Sequence, residues 1–328
     1  MTKDNSILWI DTKKETEKIT NKIQELLRSK LKRRGLVVAV SGGIDSSVAL
    51  AISAKALGPD RVIALLMPEK QSSDKTLSLS KKMAESAKVK WIHEDITDIL
   101  TSVKFYDRYK DAVRNVIPDY GDGWKSKIVI KNINQKKSYN YFYIVAEPPN
   151  KHIIEKRLNS RAYLEIVAAT NFKQRIRKML EYYHADRLNF AVVGTPNRLE
   201  YDQGFFVKLG DGAADIKPIA HLYKTQVYQM AKYLNVPKEI RNRPPTTDTY
   251  SMAQGQDEFY FAVPYDIMDI CLYGKNNGLS VKEISKKANI DNEKVKYVLD
   301  DIETKRRTTQ YLHLNAQLIE NIKQIKVQ

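Results

Sequence analysis

The 328-residue sequence contains a single cysteine, Cys271, which excludes an intrachain disulfide and any zinc site of the Cys-x-x-Cys type. Because Cys271 lies in an apolar run, we expect it in the core rather than at a reactive site. No apolar run approaches the ~20 residues that are needed to cross a bilayer. Residues 1–10 also lack the basic start and long apolar segment of a secretory signal. We therefore expect a cytoplasmic protein that does not bind membranes.

The sequence also lacks Gly-Lys-Ser/Thr, which excludes a phosphate loop of the kinase type. Positive charge is in excess, because 55 Lys and Arg residues outnumber 39 Asp and Glu residues and give a formal net charge of +16. The lysines are scattered through nearly every segment instead of being gathered in one tail. This distribution favours a solvated basic surface with an anion-binding site over a nucleic-acid-binding arm.

A glycine turn near the start of the chain is the clearest candidate for that anion site. Leu36–Val40 has the length and β-branched content of a buried strand, and residues 48–56 form an apolar, helix-forming run. Between them stands Ser41-Gly42-Gly43-Ile44-Asp45-Ser46-Ser47. Glycines let the backbone approach a ligand closely, and the free N–H groups at a helix start attract anions. The stretch therefore predicts a phosphate site with additional hydroxyl donors.

Strands and helices alternate along most of the remaining chain. Such alternation implies parallel pairing by crossover, and therefore a doubly wound α/β sheet. Ligands of these sheets lie beyond the carboxyl ends of the strands, which is where the glycine turn falls. The predicted strands are 36–40, 61–66, 88–93 and 188–193, and the main predicted helices are 12–34, 72–87, 161–183, 220–234 and 265–273.

The pattern changes in an insert at residues 105–159 and again in a tail at residues 276–328. These changes divide the chain into segments 1–104, 105–159, 160–275 and 276–328. In the second segment, residues 125–133 and 138–146 alternate polar and apolar residues about Asn-Gln-Lys-Lys and predict an inserted β-hairpin. Its tyrosines, which stand among lysines, could stack on nucleic-acid bases, but tyrosines are also good strand formers. The last segment predicts a helical tail in which residues 279–302 have the spacing of a helix-turn-helix, a common packing unit that also occurs in DNA-binding proteins.

Several charged residues suggest a second half of the anion site. Asn171 and Arg175 lie one turn apart on a predicted helix, so they share a face that can hold a polar or anionic group. Downstream, three carboxylates stand among glycines and small residues, near two lysines. Repulsion among these carboxylates favours a site that a metal ion or an anion shares. The carboxylates are Glu200, Asp211 and Asp215, and the lysines are Lys208 and Lys224.

Two sets of motifs resemble known families. The stretch Ser41–Ser46 resembles the S-G-G-x-D-S signature of the ATP pyrophosphatases, the PP-loop enzymes of the adenine nucleotide alpha hydrolase-like superfamily. Within that group, the chain resembles the ammonia-dependent NAD synthetases, whose pattern also includes an Asn and an Arg four residues apart. The other matching motifs are Gly194-Thr195-Pro196-Asn197-Arg198-Leu199-Glu200, Gly210-Asp211-Gly212-Ala213-Ala214-Asp215, Leu222-Tyr223-Lys224, and Pro245-Thr246 followed by Gln256-Asp257-Glu258, which resembles the second, mobile loop of the family.

The resemblance implies a reaction in which ATP and Mg²⁺ serve the amidation of deamido-NAD by ammonia, with release of AMP and pyrophosphate. It also implies a homodimer. No glutaminase nucleophile is visible, so the ammonia is free or comes from a separate protein. The implied catalytic residues are Asp45, Lys224 and Thr246; the ATP site comprises Ser41, Gly42, Gly43, Asp45, Ser46, Ser47, Thr195, Lys224 and Thr246; the substrate site comprises Asn171, Arg175, Lys208, Asp215 and Lys305; and the metal ligands are Asp45, Glu200 and Asp211.

Alternatives stay open on the residues alone, because Thr304 stands where the family tail carries a histidine and Ser72-Ser73 replaces its usual adenine contacts. One alternative is another PP-loop adenylating amide ligase, and a second is a tRNA-modifying enzyme. The third is a nucleic-acid-binding protein built on the same fold.

Overall fold

A computed structural model of the chain describes residues 7–132, 140–149, 152–244, 246–247, 249–252, 254–255, 260–261, 263–320, 322 and 325. Within these ranges, the description excludes the side chains of Asp74, Asn132, Asn140, Thr246 and Thr247. The turn predicted at residues 134–137, Pro245 and the motif Gln256-Asp257-Glu258 lie outside the described residues.

The described elements alternate between helices and strands in the first half of the chain and become mainly helical towards its end. In chain order they are α1 (Thr12–Leu26), a π-helical turn (Leu27–Leu31), β1 (Leu36–Ala39), α2 (Ile44–Leu57), a 3-10 turn (Pro59–Arg61), β2 (Val62–Leu66), α3 (Asp74–Ser86), β3 (Lys90–His93), α4 (Thr97–Ser102), α5 (Phe105–Arg114), β4 (Lys125–Asn132), β5 (Asn140–Glu147), β6 (Ile154–Arg157), α6 (Ser160–Leu188), β7 (Ala191–Val193), α7 (Arg198–Gln203), α8 (Lys224–Tyr233), α9 (Lys238–Arg241), β8 (Thr246–Thr247), β9 (Gln254–Gly255), α10 (Tyr265–Asn276), α11 (Val281–Ala288) and α12 (Asn292–His313).

A parallel sheet of four strands, in the order β3-β2-β1-β7, lies at the centre of the fold. Leu36 and Val38 of β1 face a layer that contains α1, α2, α3 and α8, whereas Val37 faces α5 and α6. Because side chains alternate across a strand, each central strand is buried on both faces. Helices therefore cover both sides of the sheet, and the predicted doubly wound α/β architecture is confirmed.

The glycine turn joins β1 to α2 at the carboxyl edge of this sheet. Gly43 is the residue that precedes α2, and it has an extended backbone with φ −85° and ψ 162°. Gly42 has φ +67°, a left-handed conformation in which a side chain is strained. A Cβ at Gly42 would lie 2.9 Å from the carbonyl oxygen of Thr76 and 3.0 Å from Cβ of Leu79. Glycine is therefore required here by both backbone conformation and space.

We expect Gly42→Ala to lower the free energy of unfolding by at least about 2 kcal/mol, because left-handed strain and the clash with α3 add together. Gly278→Ala is the matched control. Gly278 has φ +71°, but no atom lies within 4 Å of its added Cβ, so only the strain applies and we expect about 1 kcal/mol. Urea unfolding of both variants measures the difference. Equal losses would show that α3 does not confine the turn.

The inserted segment is larger than the predicted hairpin. The hairpin is confirmed as β4 and β5, which pair antiparallel from Lys125↔Glu147 to Asn132↔Asn140. Strand β6 joins β5 as a third, antiparallel strand, and α5 occupies the start of the segment. Ile128, Ile144 and Ala146 pack in the same core cluster as α5 and α6. The inserted sheet is thus fixed to one face of the central domain.

The helical tail packs as a unit on α10. Its buried apolar residues form a third core cluster with Cys271, which is fully buried as predicted. Helices α11 and α12 correspond to the predicted helix-turn-helix, although α12 has 22 residues and is not short. Arg306 of α12 donates two hydrogen bonds to Asp202 of α7, at 2.5 and 2.9 Å, so the tail is attached near the carboxyl edge of the sheet. In the described part of the chain, no helix combines the length and the apolar character that a membrane span requires.

Candidate active site

A cavity of about 890 Å³ opens at the carboxyl ends of the central strands. The glycine turn, α6, the loop after α7 and the helical tail all contribute to its walls. Twelve of the residues predicted from the sequence line this one cavity. They are Ser41, Gly43, Asp45, Ser46, Asn171, Arg175, Thr195, Glu200, Lys208, Asp211, Lys224 and Lys305.

The glycine turn presents its serines in two different ways. The Ser46 hydroxyl lies 3.2 Å from the Ser41 hydroxyl and from the Ser41 backbone N–H, so these two residues form one polar corner of the cavity. Ser47 is fully buried, and its hydroxyl donates to the carbonyl oxygen of Gly43 at 2.7 Å. Neither Ser47 nor Gly42 is among the residues that line the cavity. These two shape the turn, and their position does not support direct contact with a phosphate.

Asp45 connects three elements of the site. Its Oδ1 accepts a hydrogen bond from the amide of Asn197 at 2.9 Å, and its Oδ2 accepts one from Nζ of Lys224 at 2.5 Å. Burial alone would lower the pKa of Lys224, but the negative charges of Asp45 and Glu200 raise it above its ordinary value. Lys224 is therefore held as a buried ammonium group beside the glycine turn. A cation in this position can stabilise negative charge on a bound phosphate.

The predicted metal ligands share the cavity but do not form a metal site by themselves. In the described ranges, no group of three or more His, Cys, Asp and Glu side chains is placed to hold a metal ion. Asp45 is engaged by Lys224 and Asn197, and Oδ1 of Asp211 accepts the backbone N–H of Val207 at 2.7 Å. The predicted trio is therefore not assembled in this structure. Mg²⁺ in nucleotide sites commonly takes only one or two protein carboxylates, so Asp45 and Glu200, which both line the cavity, would suffice. Oε2 of Glu200 accepts the backbone N–H of Asn197 at 3.1 Å, but a carboxylate can accept such a bond and still offer oxygen lone pairs to a metal ion.

Asp215 lies apart from the cavity and has a structural role. Its Oδ2 accepts the backbone N–H of Val192 at 2.7 Å, and its Oδ1 accepts a hydrogen bond from the Tyr182 hydroxyl at 3.4 Å. These bonds attach the segment after α7 to β7. Within this chain, the position of Asp215 does not support the predicted contact with the substrate. The role of Thr246, whose side chain is not described, stays a prediction.

Basic residues from α6, the loop after α7 and the helical tail also line the cavity. The guanidinium of Arg175 donates to the carbonyl oxygen of Lys208 at 3.4 Å, and Nζ of Lys208 donates to that of Tyr311 at 2.9 Å. Lys305 is buried and donates to Asp301 at 2.5 Å and to the carbonyl oxygen of Tyr260 at 2.6 Å. These contacts join α6, the loop after α7 and the tail along one polar wall.

Similarity to known proteins extends over nearly the whole chain. The family model described as NAD synthase matches residues 15–154 and 125–310. The chain belongs to the NAD synthase family. A relative from Rhizobium meliloti, named NH(3)-dependent NAD(+) synthetase, is 53% identical over 319 residues and covers 97% of this chain and 95% of that protein. A relative of the same name from Methanocaldococcus jannaschii is 34% identical, covering 90% of this chain and 93% of that protein.

Solved structures support the fold of the NAD synthase family. The NMN synthetase from Francisella tularensis matches with a TM-score of 0.64 and 21% identity, covering 94% of this chain and 99% of that one. The NH3-dependent NAD synthetase from Campylobacter jejuni, in complex with nitrate, matches with a TM-score of 0.62 and 20% identity, covering 95% and 100%. At these identities the likeness concerns the fold alone.

Two features of the site do not follow from the sequence interpretation. Asn197 is buried and both caps α7 and holds Asp45, although the spacing Asn197-x-x-Glu200 is a capping-box signature that could have indicated it. Lys178 and Glu181 form a buried ion pair of 2.7 Å on the cavity wall. Their i,i+3 spacing is visible, but on a 29-residue helix of low overall amphipathicity it does not indicate which face is buried.

The side chain of Asp269 in α10 forms hydrogen bonds to the start of α8, and its raised pKa makes the stability of the protein depend on pH. Its carboxylate accepts bonds of 2.6 Å from the backbone N–H and the hydroxyl of Thr225, yet burial raises its pKa from 3.8 to about 6. Between these pH values the folded protein keeps a proton that the unfolded chain has lost. The contribution of Asp269 to stability is therefore greatest below pH ~4 and falls as the pH rises towards ~6.

We expect the free energy of unfolding, relative to that of Asp269→Asn, to decrease by about 2–3 kcal/mol between pH 4 and 7. Asn is the matched replacement because it keeps an acceptor for Thr225 but does not titrate. Urea unfolding of both proteins across this range gives the difference directly. A constant difference would contradict the raised pKa.

Proposed function

We propose that the chain is an ammonia-dependent NAD synthetase, a carbon–nitrogen ligase that uses ATP to amidate deamido-NAD. The observation that carries the proposal is that one cavity joins the glycine turn to the face of α6 that presents Asn171 and Arg175. A nucleoside triphosphate and a second anionic substrate can thus meet between Lys224 and α6. The relatives named NH(3)-dependent NAD(+) synthetase, which match almost the whole chain, support the same reaction.

The chemistry follows from the poor reactivity of a carboxylate towards ammonia, since its leaving group would be hydroxide. A carboxylate oxygen of deamido-NAD attacks the α-phosphorus of ATP, a new C–O–P linkage forms, and pyrophosphate departs. Ammonia then attacks the acyl carbon, the C–O bond breaks, and AMP leaves with the electron pair. The protein forms no covalent bond in this scheme, so positioning and charge neutralisation supply the catalysis.

The site residues divide between the two substrates in this proposal. Ser41, Gly43 and Ser46 face the phosphates, with Thr195, Lys224 and Thr246 beside them, whereas Asn171, Arg175, Lys208 and Lys305 bind deamido-NAD. Mg²⁺, when bound, would be held by Asp45 and Glu200 together with phosphate oxygens and would neutralise the departing pyrophosphate.

The ammonia reaches the site as free ammonia or from a separate protein in the cytoplasm. Hydrolysis of glutamine by a thiol would require a reactive cysteine. Cys271 is the only one in the sequence; it is fully buried, and burial raises its pKa to about 11. A thiol in this state is not an effective nucleophile.

The homodimer is proposed from exposed apolar side chains on α6. Leu164, Met179 and Tyr183 are 62%, 54% and 59% exposed, and their spacing of 15 and 4 residues places them on the same helix face as Asn171 and Arg175, so the proposed interface adjoins the substrate residues. Large exposed apolar side chains on one face are typical of an interaction surface. Light scattering of the purified protein should therefore give twice the mass of one chain.

The decisive experiment is to incubate the protein with ATP, Mg²⁺, ammonium and deamido-NAD and to quantify the products. We expect NAD, AMP and pyrophosphate in equal amounts, with no product when deamido-NAD is omitted. Nicotinic acid mononucleotide, a smaller carboxylate, is the matched control substrate. Formation of AMP with nicotinic acid mononucleotide but not with deamido-NAD would contradict the proposal, and so would formation of ADP instead of AMP.

A further inference from the structure

The inserted sheet forms hydrogen bonds to the segment that contains β8 and β9. The backbone N–H of Ser126 in β4 donates to the hydroxyl of Ser251 at 2.9 Å, and the N–H of Met252 donates to the carbonyl oxygen of Ser126 at 3.2 Å. The amide Nε2 of Gln254 donates to the carbonyl oxygen of Ile128 at 2.5 Å. Two residues on the edge of β4 that does not pair with β5 thus bind three residues of the segment.

The segment needs such support because its described residues have little secondary structure of their own. Strands β8 and β9 pair through only two residue pairs, Thr246↔Gly255 and Thr247↔Gln254. A two-stranded ribbon is marginally stable in water even when it is longer. Gln254 is 2% exposed, and its Oε1 has no hydrogen-bond partner among the described residues. Burying this amide therefore costs free energy, which the hydrogen bond to the carbonyl oxygen of Ile128 offsets only in part.

Strand β4 of the inserted sheet is itself fixed by buried hydrogen bonds and ring packing. The hydroxyl of Ser126 lies 2.9 Å from that of Tyr109 and 2.8 Å from that of Tyr120, and Ser126 is fully buried. The ring of Tyr250 packs on Tyr109, with 6.5 Å between centroids. Strand β4 is therefore fixed to α5 on one side and to the segment on the other.

We propose that the inserted sheet is a platform that holds residues 249–252 and 254–255 beside the cavity before any ligand binds, with Ser126, Ser251 and Gln254 as positioning residues. Thr249 and Tyr250 line the cavity, so this segment is part of its wall. A wall that is ordered in advance spares the ligand the free-energy cost of ordering it. The effect on ATP described below rests on the proposed function, whereas the effect on segment order does not.

The test compares two variants, Ser251→Ala and Gln254→Leu, with Lys131→Met. Lys131 pairs with Glu155 across the inserted sheet at 2.7 Å and is exposed, so its replacement perturbs the same sheet away from the segment. Amide hydrogen exchange of the peptide that covers residues 246–255 is measured first, without ligand. We expect exchange about tenfold faster in each of the two variants and unchanged in Lys131→Met. Exchange that is unchanged in the folded Ser251→Ala protein, the milder of the two replacements, would overturn the proposal.

Steady-state kinetics separate positioning from a loss of stability. If only a fraction of molecules has the segment in place, the KM for ATP rises by about the factor by which that fraction falls, and kcat at saturating ATP is retained. We expect a KM for ATP raised up to about tenfold in Ser251→Ala and Gln254→Leu. A lowered kcat with an unchanged KM would show a smaller folded fraction instead and would also overturn the proposal. Faster exchange in a protein that forms no NAD would refute the proposed function alone.

Discussion

Asp45→Asn is expected to lower the rate of NAD formation by at least about a thousandfold. The replacement keeps the size of the side chain and its acceptor for Asn197, but it removes the negative charge that faces Lys224 at 2.5 Å. It also removes a carboxylate that would bind Mg²⁺. Both losses act where charge develops as pyrophosphate leaves, so they affect the transition state more than substrate binding.

Rates of NAD and AMP formation under saturating substrates measure this effect. Asp60→Asn is the control, because Asp60 makes the same charge change at an exposed position in the turn that follows α2. Thermal unfolding of both variants establishes that they are folded at the assay temperature. Turnover by Asp45→Asn within about threefold of the unmodified protein would contradict the role assigned to Asp45.

Lys173→Met is expected to lower the free energy of unfolding by about 3–5 kcal/mol. Nζ of Lys173 lies 2.7 Å from Oε1 of Glu69, and the two side chains are 2% and 1% exposed. Glu69 also accepts hydrogen bonds from the Tyr106 hydroxyl at 2.9 Å and from the N–H of Gln71 at 3.0 Å. Although burial raises the pKa of Glu69, the charge of Lys173 lowers it below its ordinary value, so the carboxylate is charged. Removing the lysine leaves that charge buried without its counter-ion.

A double-mutant cycle distinguishes this loss from a simple loss of packing. Replacing both residues, with Lys173→Met and Glu69→Gln, is expected to recover about 2 kcal/mol relative to the sum of the single changes. Lys82 and Glu239 are the surface control: their 2.5 Å pair is 50% and 56% exposed, so solvent screens the two charges and we expect no measurable coupling between them. Additive single changes at Lys173 and Glu69 would show that the two charges are not coupled.

Local sequence patterns predict the elements that are local in the chain. The strand, glycine turn and helix about Gly43, and the hairpin of β4 and β5, follow from apolar periodicity and turn residues, and all are found in the structure. Helix α5 is absent from the predicted elements, although Phe105, Tyr109, Ala112 and Val113 have the spacing of a buried helix face. Strand β6 gives no signal, since its residues are mostly exposed and charged.

The candidate site is less predictable because its contacts are distant in the chain. Asp45 is 152 residues from Asn197 and 179 residues from Lys224, so no local pattern links either pair. A carboxylate among glycines is equally suited to bind a metal or to accept backbone N–H groups. Asp215 does the latter, and only its hydrogen bonds to Val192 and Tyr182 reveal this.

The position of β7 next to β1 has a consequence for biosynthesis. Leu36 pairs with Ala191, so the sheet is completed by a strand that follows the whole inserted segment and α6. Contacts of such sequence separation form late, because a long loop must close before they are gained. As the chain leaves the ribosome, β1, β2 and β3 can pair early, but the edge of β1 stays unprotected until α6 and β7 have emerged. If synthesis stops between these points, the unpaired edge of β1 stays exposed and can pair with other chains. Chaperone binding should therefore be strongest for nascent chains of that length.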